Sequence, residues 1–340
     1  PEEEDIFADM ECQICKDTGL IQLACLLPPE VLYLNQNNDG TGKLWLDHYQ
    51  SFTEFINKVG PKNILEVGGA NDFIAKSYLD KNQDATWTIV EPHPFFVKDK
   101  RIKIIKSWFD DKFKIDVKID ALVHSHVLEH LYDPFQFLAQ ASKSLKAGDK
   151  HIFTFPNMMA MLKNKFTNCL NFEHTVFLTE DIVDYSLKKA GFNIIAKEYF
   201  GDGHSIFYAT EKKEDMDTPI FENKYAEYKE TFMDFIDYHR KMINDLNNKM
   251  KNTQEPVYLF GAHIFSQFLL SFGLSAERIE AIMDNSPAKQ DKRLYGTDFI
   301  IESPESLGSK GKVNVVLKAG FYNEEVKRQL LKINNQITIW

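Results

Sequence analysis

Short apolar runs that alternate with helical stretches fill residues 61–210, and this alternation restricts the fold more than any other feature. Each run has the length and the aliphatic content of a buried strand. The predicted strands are NILEV at 63–67, TWTIV at 86–90, KIIK at 103–106, DALVHS at 120–125 and HIFTF at 151–155. Helices are predicted over 44–59, 74–79 and 135–145. The pattern favours an α/β fold, a doubly wound parallel sheet covered on both faces, which binds ligands at the carboxyl ends of its strands.

A second, smaller α/β pattern occupies the C-terminal part of the 340-residue chain. Strands are predicted at 257–262, 279–284 and 313–319, and helices at 265–272 and 324–332. Before them lies a charged helix with an apolar face at 3- and 4-residue spacing. That face comprises Tyr225, Tyr228, Phe232, Phe235 and Ile236. We therefore predict four segments: a loop-rich lead over 1–42, an α/β domain over 43–212, a helical linker over 213–254, and a Rossmann-like domain over 255–340.

Charge and hydrophobicity exclude several classes of protein. The formal net charge is −10, so the chain lacks the overall basic character of a nucleic-acid-binding protein. No apolar stretch approaches the ~20 residues of a membrane-spanning helix, and no signal peptide is evident. With only four cysteines, the sequence predicts a reducing, cytoplasmic setting.

A glycine pair after the first strand is the strongest indication of a ligand site. In ILEVGGAND, Glu66 precedes Gly68 and Gly69, which allow a tight turn against a ligand. Glu91 ends the second strand about 20 residues later, where an acid can hold ribose hydroxyls. The third strand leads into Trp108 and its neighbour Phe109, which could flank an adenine.

These segments, together with ALVHSHVLEHLYDPFQFL at 121–138, resemble the S-adenosylmethionine (SAM) site of class I methyltransferases. The resemblance implies that the ILEVGGAND turn lies near the methionine part of SAM, Glu91 on the ribose, Trp108 near the adenine, and His126 beside the sulfonium. Residues of the turn assigned to the cofactor are Glu66, Gly68, Gly69 and Asn71. The GxGxxG spacing of NAD-binding dehydrogenases is absent, which favours SAM over NAD.

The C-terminal sequence is similar to that of sugar C-methyltransferases. Their D-x-x-P-x-K-Q…G-T pattern is matched by Asp284, Pro287, Lys289, Gln290, Gly296 and Thr297. ECQICKDTGLIQL also resembles the end of that family's N-terminal zinc module. The lead offers one C-x-x-C pair, Cys12 and Cys15, and structural zinc requires four ligands. We therefore interpret the lead as a remnant and expect no zinc there; either an upstream pair lies outside this sequence or the metal has been lost. A metal triad of His124, His126 and His130 is also considered, but no metal site is predicted.

The acceptor side is assigned to NFEHTVFLT at 171–179, which resembles a Y-x-E-H segment of the same family. The resemblance implies that Glu173 and His174 lie by the sugar and remove a proton, with Asn171 in place of the tyrosine. Imidazole suits this task at neutral pH, and the carboxylate can orient the ring. GDGHSIFYA at 201–209 departs from the family's H-G-G-S-L-R stretch, because Phe207 replaces an arginine that would suit a phosphate. Tyr33 is a further candidate base.

The sequence therefore predicts a SAM-dependent methyltransferase of sugar biosynthesis. Its acceptor would be a small polar molecule, a nucleotide-activated keto sugar, with no nucleic-acid or membrane partner. Three alternatives stay open: O- or N-methylation of a related carbohydrate acceptor, a non-catalytic SAM-binding module, and an NAD-linked enzyme. The sequence gives neither the acceptor's identity nor the oligomeric state.

Overall fold

The computed structural model describes residues 5–32, 42–69, 71–94, 97, 99–217 and 219–340. By internal contacts the chain forms two units. The first unit comprises Glu11–Ala160 and Phe172–Tyr225, and the second comprises Pro1–Met10, Met161–Asn171 and Ala226–Trp340. Among the described residues, no helix has both the length and the apolar character needed to cross a bilayer.

The first unit contains nine strands and most of the shorter helices of the described residues. Its strands are β1 (Cys12–Ile14), β2 (Ile21–Leu23), β3 (Asn63–Val67), β4 (Thr86–Val90), β5 (Ile102–Ile105), β6 (Ala121–Ser125), β7 (Lys150–Pro156), β8 (Phe192–Phe200) and β9 (Ser205–Lys212). The helices that begin in it are α1 (Pro29–Leu32), α2 (Lys43–Val59), α3 (Phe73–Lys81), α4 (Pro134–Ser144), α5 (Met158–Lys163) and α6 (Glu180–Lys189). β1 and β2 form a separate antiparallel hairpin.

Seven strands of this unit form one sheet in the order β5-β4-β3-β6-β7-β9-β8. β3 to β7 are mutually parallel, which confirms the five predicted strands and the α/β class. β9 runs antiparallel to both β7 and β8, so the parallel sheet carries one antiparallel strand next to this edge. The physical reason is the short glycine-containing turn at 201–204, since only antiparallel strands can be joined by so short a connection.

Helix α2 packs on this sheet through a continuous aromatic and aliphatic face. Phe52, Phe55 and Ile56 are fully buried and share one core with residues of β3, β4 and β9. The helix ends at Gly60, whose φ of 72° is the left-handed conformation typical of a helix C-terminus. Phe207 of β9 belongs to the same core, which explains why this position holds an apolar ring instead of a phosphate-binding arginine.

The second unit is a smaller parallel sheet preceded by a long helix. Its elements are α7 (Tyr225–Asn252), β10 (Val257–Phe260), α8 (Ile264–Ser271), β11 (Ala281–Met283), β12 (Ile301–Glu302), β13 (Val313–Leu317), α9 (Asn323–Ile333) and β14 (Ile337–Ile339). The strand order is β12-β11-β10-β13-β14, and every adjacent pair is parallel. The helix predicted as a linker is α7, and nearly all of it is counted with this unit.

The D-x-x-P-x-K-Q segment forms hydrogen bonds with its own backbone and with the turn after β10. Asp284 follows β11, and its carboxylate accepts N–H donors from Ala262 and Ser286, each at 2.8 Å. The side-chain amide of Gln290 donates to the carbonyl of Asp284 at 3.0 Å. The hydroxyl of Thr297 closes a similar local turn by donating to the Leu294 carbonyl at 2.9 Å. These side chains hold the turns that follow the strands of the second unit.

Candidate active site

A crowded glycine turn follows β3. Gly68 has a φ of +72°, and a Cβ added there would lie 2.6 Å from Cγ2 of Val127. A Cβ at Gly69 would lie 2.8 Å from Cγ2 of Ile89. Residues after β6 and within β4 thus press against the turn, and only glycine leaves enough room at both positions. Packing within the protein is therefore enough to require both glycines.

The ends of the two neighbouring strands carry the predicted ribose and adenine groups. Glu91 follows β4 and is almost fully buried, and one of its carboxylate oxygens accepts the N–H of His93 at 2.9 Å. Burial raises the pKa of Glu91. Trp108 follows β5 and keeps 57% of its surface exposed, with its ring edge-on to His93 at 6.3 Å. Both residues stand at the carboxyl edge of the sheet, as expected.

Glu66 and Asn71 support the glycine turn from two sides. Glu66 is buried, and its Oε2 accepts the indole N–H of Trp87 at 2.7 Å. Burial raises the pKa of Glu66 to about 8. Asn71 accepts the N–H of Phe73 through its side-chain oxygen at 3.1 Å, and its Nδ2 lies 3.4 Å from the hydroxyl of Tyr49. Asn71 thereby starts α3 and links it to α2.

His126 follows β6 in a left-handed conformation, with a φ of 52°. Histidine adopts this conformation more readily than most residues with a Cβ. Its Nδ1 lies 3.0 Å from Oε1 of Glu129, and its Nε2 lies 3.0 Å from the hydroxyl of Ser205. Both ring nitrogens are therefore engaged, and the imidazole is fixed between the segment after β6 and the start of β9.

Three rings surround His126 that the sequence did not identify. The ring centroids of Trp45, His48 and His204 lie 4.9, 5.0 and 5.8 Å from that of His126. Burial, with a smaller effect of His126, lowers the pKa of His204 to about 3, so this ring is neutral. The signal that could have found part of this group is LWLDHY at the start of α2, where Trp45, His48 and Tyr49 share one helical face.

A second group of ionisable side chains lies on the other side of Glu129. Oε1 of Glu129 is 3.8 Å from Nε2 of His130, and Nδ1 of His130 is 3.7 Å from Oε2 of Glu173. The rings of His130 and His174 are 5.3 Å apart. Burial alone would raise the pKa of Glu129, but its bond with His126 and the nearby imidazoles together lower it. Glu129 is thus a buried carboxylate between His126 and the Glu173–His174 segment.

The three histidines weighed as a metal triad face different partners. His124 points into the core, where its Nε2 lies 3.0 Å from Nε2 of His151. His126 engages Ser205, while His130 faces His174, so the structure does not bring the three together as one ligand set.

Asn171 is counted with the second unit, and its Nδ2 donates to the carbonyl of Asn168 at 3.2 Å. Tyr33 lies outside the described residues.

Solved methyltransferase structures resemble parts of this chain. The 1,6-didemethyltoxoflavin-N1-methyltransferase of Burkholderia thailandensis is 13% identical over 60% of this chain and 100% of its own, with a TM-score of 0.43. Human N-acetylserotonin methyltransferase is 15% identical over 55% of this chain and 60% of its own, with a TM-score of 0.42. An S-adenosylmethionine-dependent methyltransferase of Mesorhizobium loti is 11% identical over 49% and 100%, with a TM-score of 0.40. No curated protein matches the chain.

The fold of the first unit and one family match are the findings that bear on the class of protein. The first unit has a Rossmann-like α/β fold, a parallel sheet with a single antiparallel strand inserted next to its edge. Residues 206–340 match the family model described as the C-methyltransferase C-terminal domain.

Proposed function

We propose that this enzyme transfers a methyl group to the carbon next to a carbonyl in a small polar acceptor, a nucleotide-activated keto sugar. The observation that carries the proposal is the position of Glu129. This buried carboxylate bonds His126, assigned to the cofactor side, and also lies beside His130, which faces His174 on the assigned acceptor side. This arrangement supports a reaction in which the cofactor and the acceptor meet within one unit.

The donor set at the carboxyl edge of the sheet fits SAM. Glu91 offers a carboxylate for ribose hydroxyls, since only one of its oxygens is described as accepting the N–H of His93. The Gly68–Gly69 turn lies at the same edge and is assigned to the amino-acid part, and Trp108 offers an exposed ring for the adenine. When bound, SAM supplies an electrophilic methyl group on a sulfonium.

His174 is proposed to act as the general base. It would take the proton from the acceptor carbon, and the C–H electron pair would pass into an enolate. The enolate carbon would then form the new C–C bond to the methyl group, while the methyl–sulfur bond breaks and its electron pair stays on the sulfur of the released S-adenosylhomocysteine. The ring is almost fully buried, so it is shielded from competing water. Glu173 and Glu129 flank this group of imidazoles, and their carboxylates would stabilise the imidazolium formed by proton uptake.

Mass spectrometry of products formed from methyl-labelled SAM and a panel of nucleotide-activated keto sugars tests the acceptor and the methylated atom. A label on carbon supports the proposal, whereas a label on oxygen or nitrogen, or on no member of the panel, contradicts it. With the acceptor in hand, His174→Gln should lower kcat by roughly 10²–10⁴-fold while SAM affinity is retained. Turnover at the wild-type rate would remove His174 from the mechanism.

A further inference from the structure

Glu129, His130 and His174 together form a set of possible metal ligands. One carboxylate oxygen of Glu129 and one ring nitrogen from each histidine lie within 4.8 Å of one another. Glu129 and His130 belong to the segment after β6, and His174 precedes α6, so the set joins two separate parts of the first unit. Two imidazoles and a carboxylate are the ligands of many zinc and iron sites.

Two side-chain atoms of these residues are buried without a hydrogen-bond partner among the described residues. They are Oε2 of Glu129 and Nδ1 of His130. Glu129 is only 1% exposed, so water cannot readily satisfy its second oxygen. An unsatisfied buried carboxylate oxygen costs stability, and native proteins rarely leave one unpaired. A bound cation would remove this cost.

We propose that Glu129, His130 and His174 bind one divalent transition-metal ion, with Zn²⁺ as the favoured ion. Imidazole nitrogens select Zn²⁺ and related ions over Mg²⁺ and Ca²⁺, which prefer oxygen ligands. Ligand atoms at about 2.0–2.1 Å from zinc lie roughly 3.3 Å apart in a tetrahedron, so the set contracts by about 1.5 Å at most on binding. Rotations of partly exposed His130 can supply this contraction.

His174 belongs both to this metal site and to the proposed function, on which this consequence rests. A ring nitrogen that coordinates a metal cannot accept a proton, so occupation of the site and action of His174 as a base exclude each other. Zn²⁺ bound here is therefore an inhibitor of methyl transfer. The binding measurement below needs neither SAM nor an acceptor, so its outcome is independent of the reaction proposed above.

Calorimetric titration with Zn²⁺, and visible absorption with Co²⁺ as a probe, test the site. A Cys12→Ser, Cys15→Ser background removes the C-x-x-C thiols, because thiolates are general zinc ligands and would complicate the titration. We expect one ion per chain and Co²⁺ bands typical of nitrogen and oxygen ligation. Glu129→Gln and His174→Gln should each weaken Zn²⁺ by roughly 10–100-fold or more, since even outer ligands have effects of this size. His151→Gln, at a buried histidine outside the set, is the matched control and should bind as the parent does.

Absence of Zn²⁺ binding in the parent protein overturns the proposal, as does equal affinity in the parent and the His174→Gln variant. Circular dichroism establishes that each variant is folded. If Glu129→Gln does not fold, the comparison of His174→Gln with His151→Gln tests the site by itself, because His174 lies in the loop that precedes α6 and not in a strand of the sheet. A Mg²⁺ preference over Zn²⁺ would also contradict the assignment.

Discussion

The two α/β units use the carboxyl ends of their parallel strands in opposite ways. In the second unit, the carboxylate of Asp284, which follows β11, accepts the N–H groups of Ala262 and Ser286. In the first unit, Glu129 after β6 is more deeply buried, yet Oε2 has no hydrogen-bond partner among the described residues. Similar sheets therefore end in side chains that close turns in one case and in side chains with spare bonding capacity in the other.

This difference distinguishes a carboxylate that stabilises the fold, Asp284, from one that is available to a ligand, Glu129. A carboxylate whose oxygens both accept backbone N–H groups contributes to stability and has little bonding capacity left for a ligand. A buried carboxylate with an unused oxygen lowers stability and is retained where a proton, a cation or a substrate group completes it. Substitutions at strand ends of the second unit should therefore change the free energy of unfolding, and those at strand ends of the first unit should change ligand binding.

The largest effect is expected at the glycine turn. Gly68→Ala should lower the free energy of unfolding by roughly 2–4 kcal/mol, since the left-handed conformation costs 1–2 and the clash with Val127 adds an overpacking cost. Gly60→Ala is the control, because it has the same φ of +72° but only one atom 3.9 Å from an added Cβ. Urea denaturation compares them, and equal losses would contradict crowding. Adding Val127→Ala should restore part of the Gly68→Ala loss.

Asp284→Ala tests the structural side of the comparison. Loss of two hydrogen bonds from backbone N–H groups to a charged acceptor should cost roughly 3 kcal/mol of unfolding free energy. The affinity for SAM, measured by calorimetry on the folded variant, should not change. A variant that kept its stability but lost SAM binding would reverse the roles assigned to the two strand-end acids.

Glu91→Gln tests the chemical side. The amide cannot accept two ribose hydroxyls as a carboxylate does, so SAM affinity should fall by roughly 5–150-fold, equivalent to about 1–3 kcal/mol. Glu302→Gln, at the end of β12 in the second unit, is the matched control and should leave the affinity unchanged. Calorimetry at neutral pH measures both. An unaltered dissociation constant in Glu91→Gln would mean that other groups hold the ribose.

A smaller, pH-dependent effect is expected from the buried pair of His124 and His151. Burial lowers the pKa of His151 to about 3, below the ~6.5 of an unfolded histidine. The neutral ring therefore contributes stability that is fully present above pH 6.5 and is lost as the pH falls towards 3. His151→Gln should reduce the slope of the free energy of unfolding against pH, between pH 6 and 4, by about 1.4 kcal/mol per pH unit. Parallel curves would show that His151 is already charged in the native protein.

Local patterns predicted much of the fold and part of the candidate site. Glu91 and the Gly68–Gly69 turn could be placed because each directly follows an apolar strand, and strand ends meet at one edge of a parallel sheet. β8 was missed because a bulge between Ile194 and Ala196 breaks its alternation of buried and exposed residues. The residue assignments to SAM and to the acceptor stay predictions.

The rings around His126 could not be predicted for a different reason. Trp45 and His204 are far apart in the sequence, and only the packing of α2 beside the β8–β9 turn brings them together. Likewise, the sequence shows that His130 and His174 are both present, but their proximity depends on how two loops fold over the sheet. Spacing within one segment carries no information about such contacts.

The second unit is built from separate segments of the chain, and this has a consequence for its folding during synthesis. Its segment Met161–Asn171 emerges from the ribosome well before Ala226–Trp340, yet it belongs with the later residues. The carbonyl of Lys165 receives a bond from His239, and Phe166 packs on Phe321. During synthesis this segment stays exposed on the nascent chain, without the residues it packs against, until the C-terminal sequence has been made. A fragment that ends before α7 would keep it permanently without its partners and would be prone to aggregate.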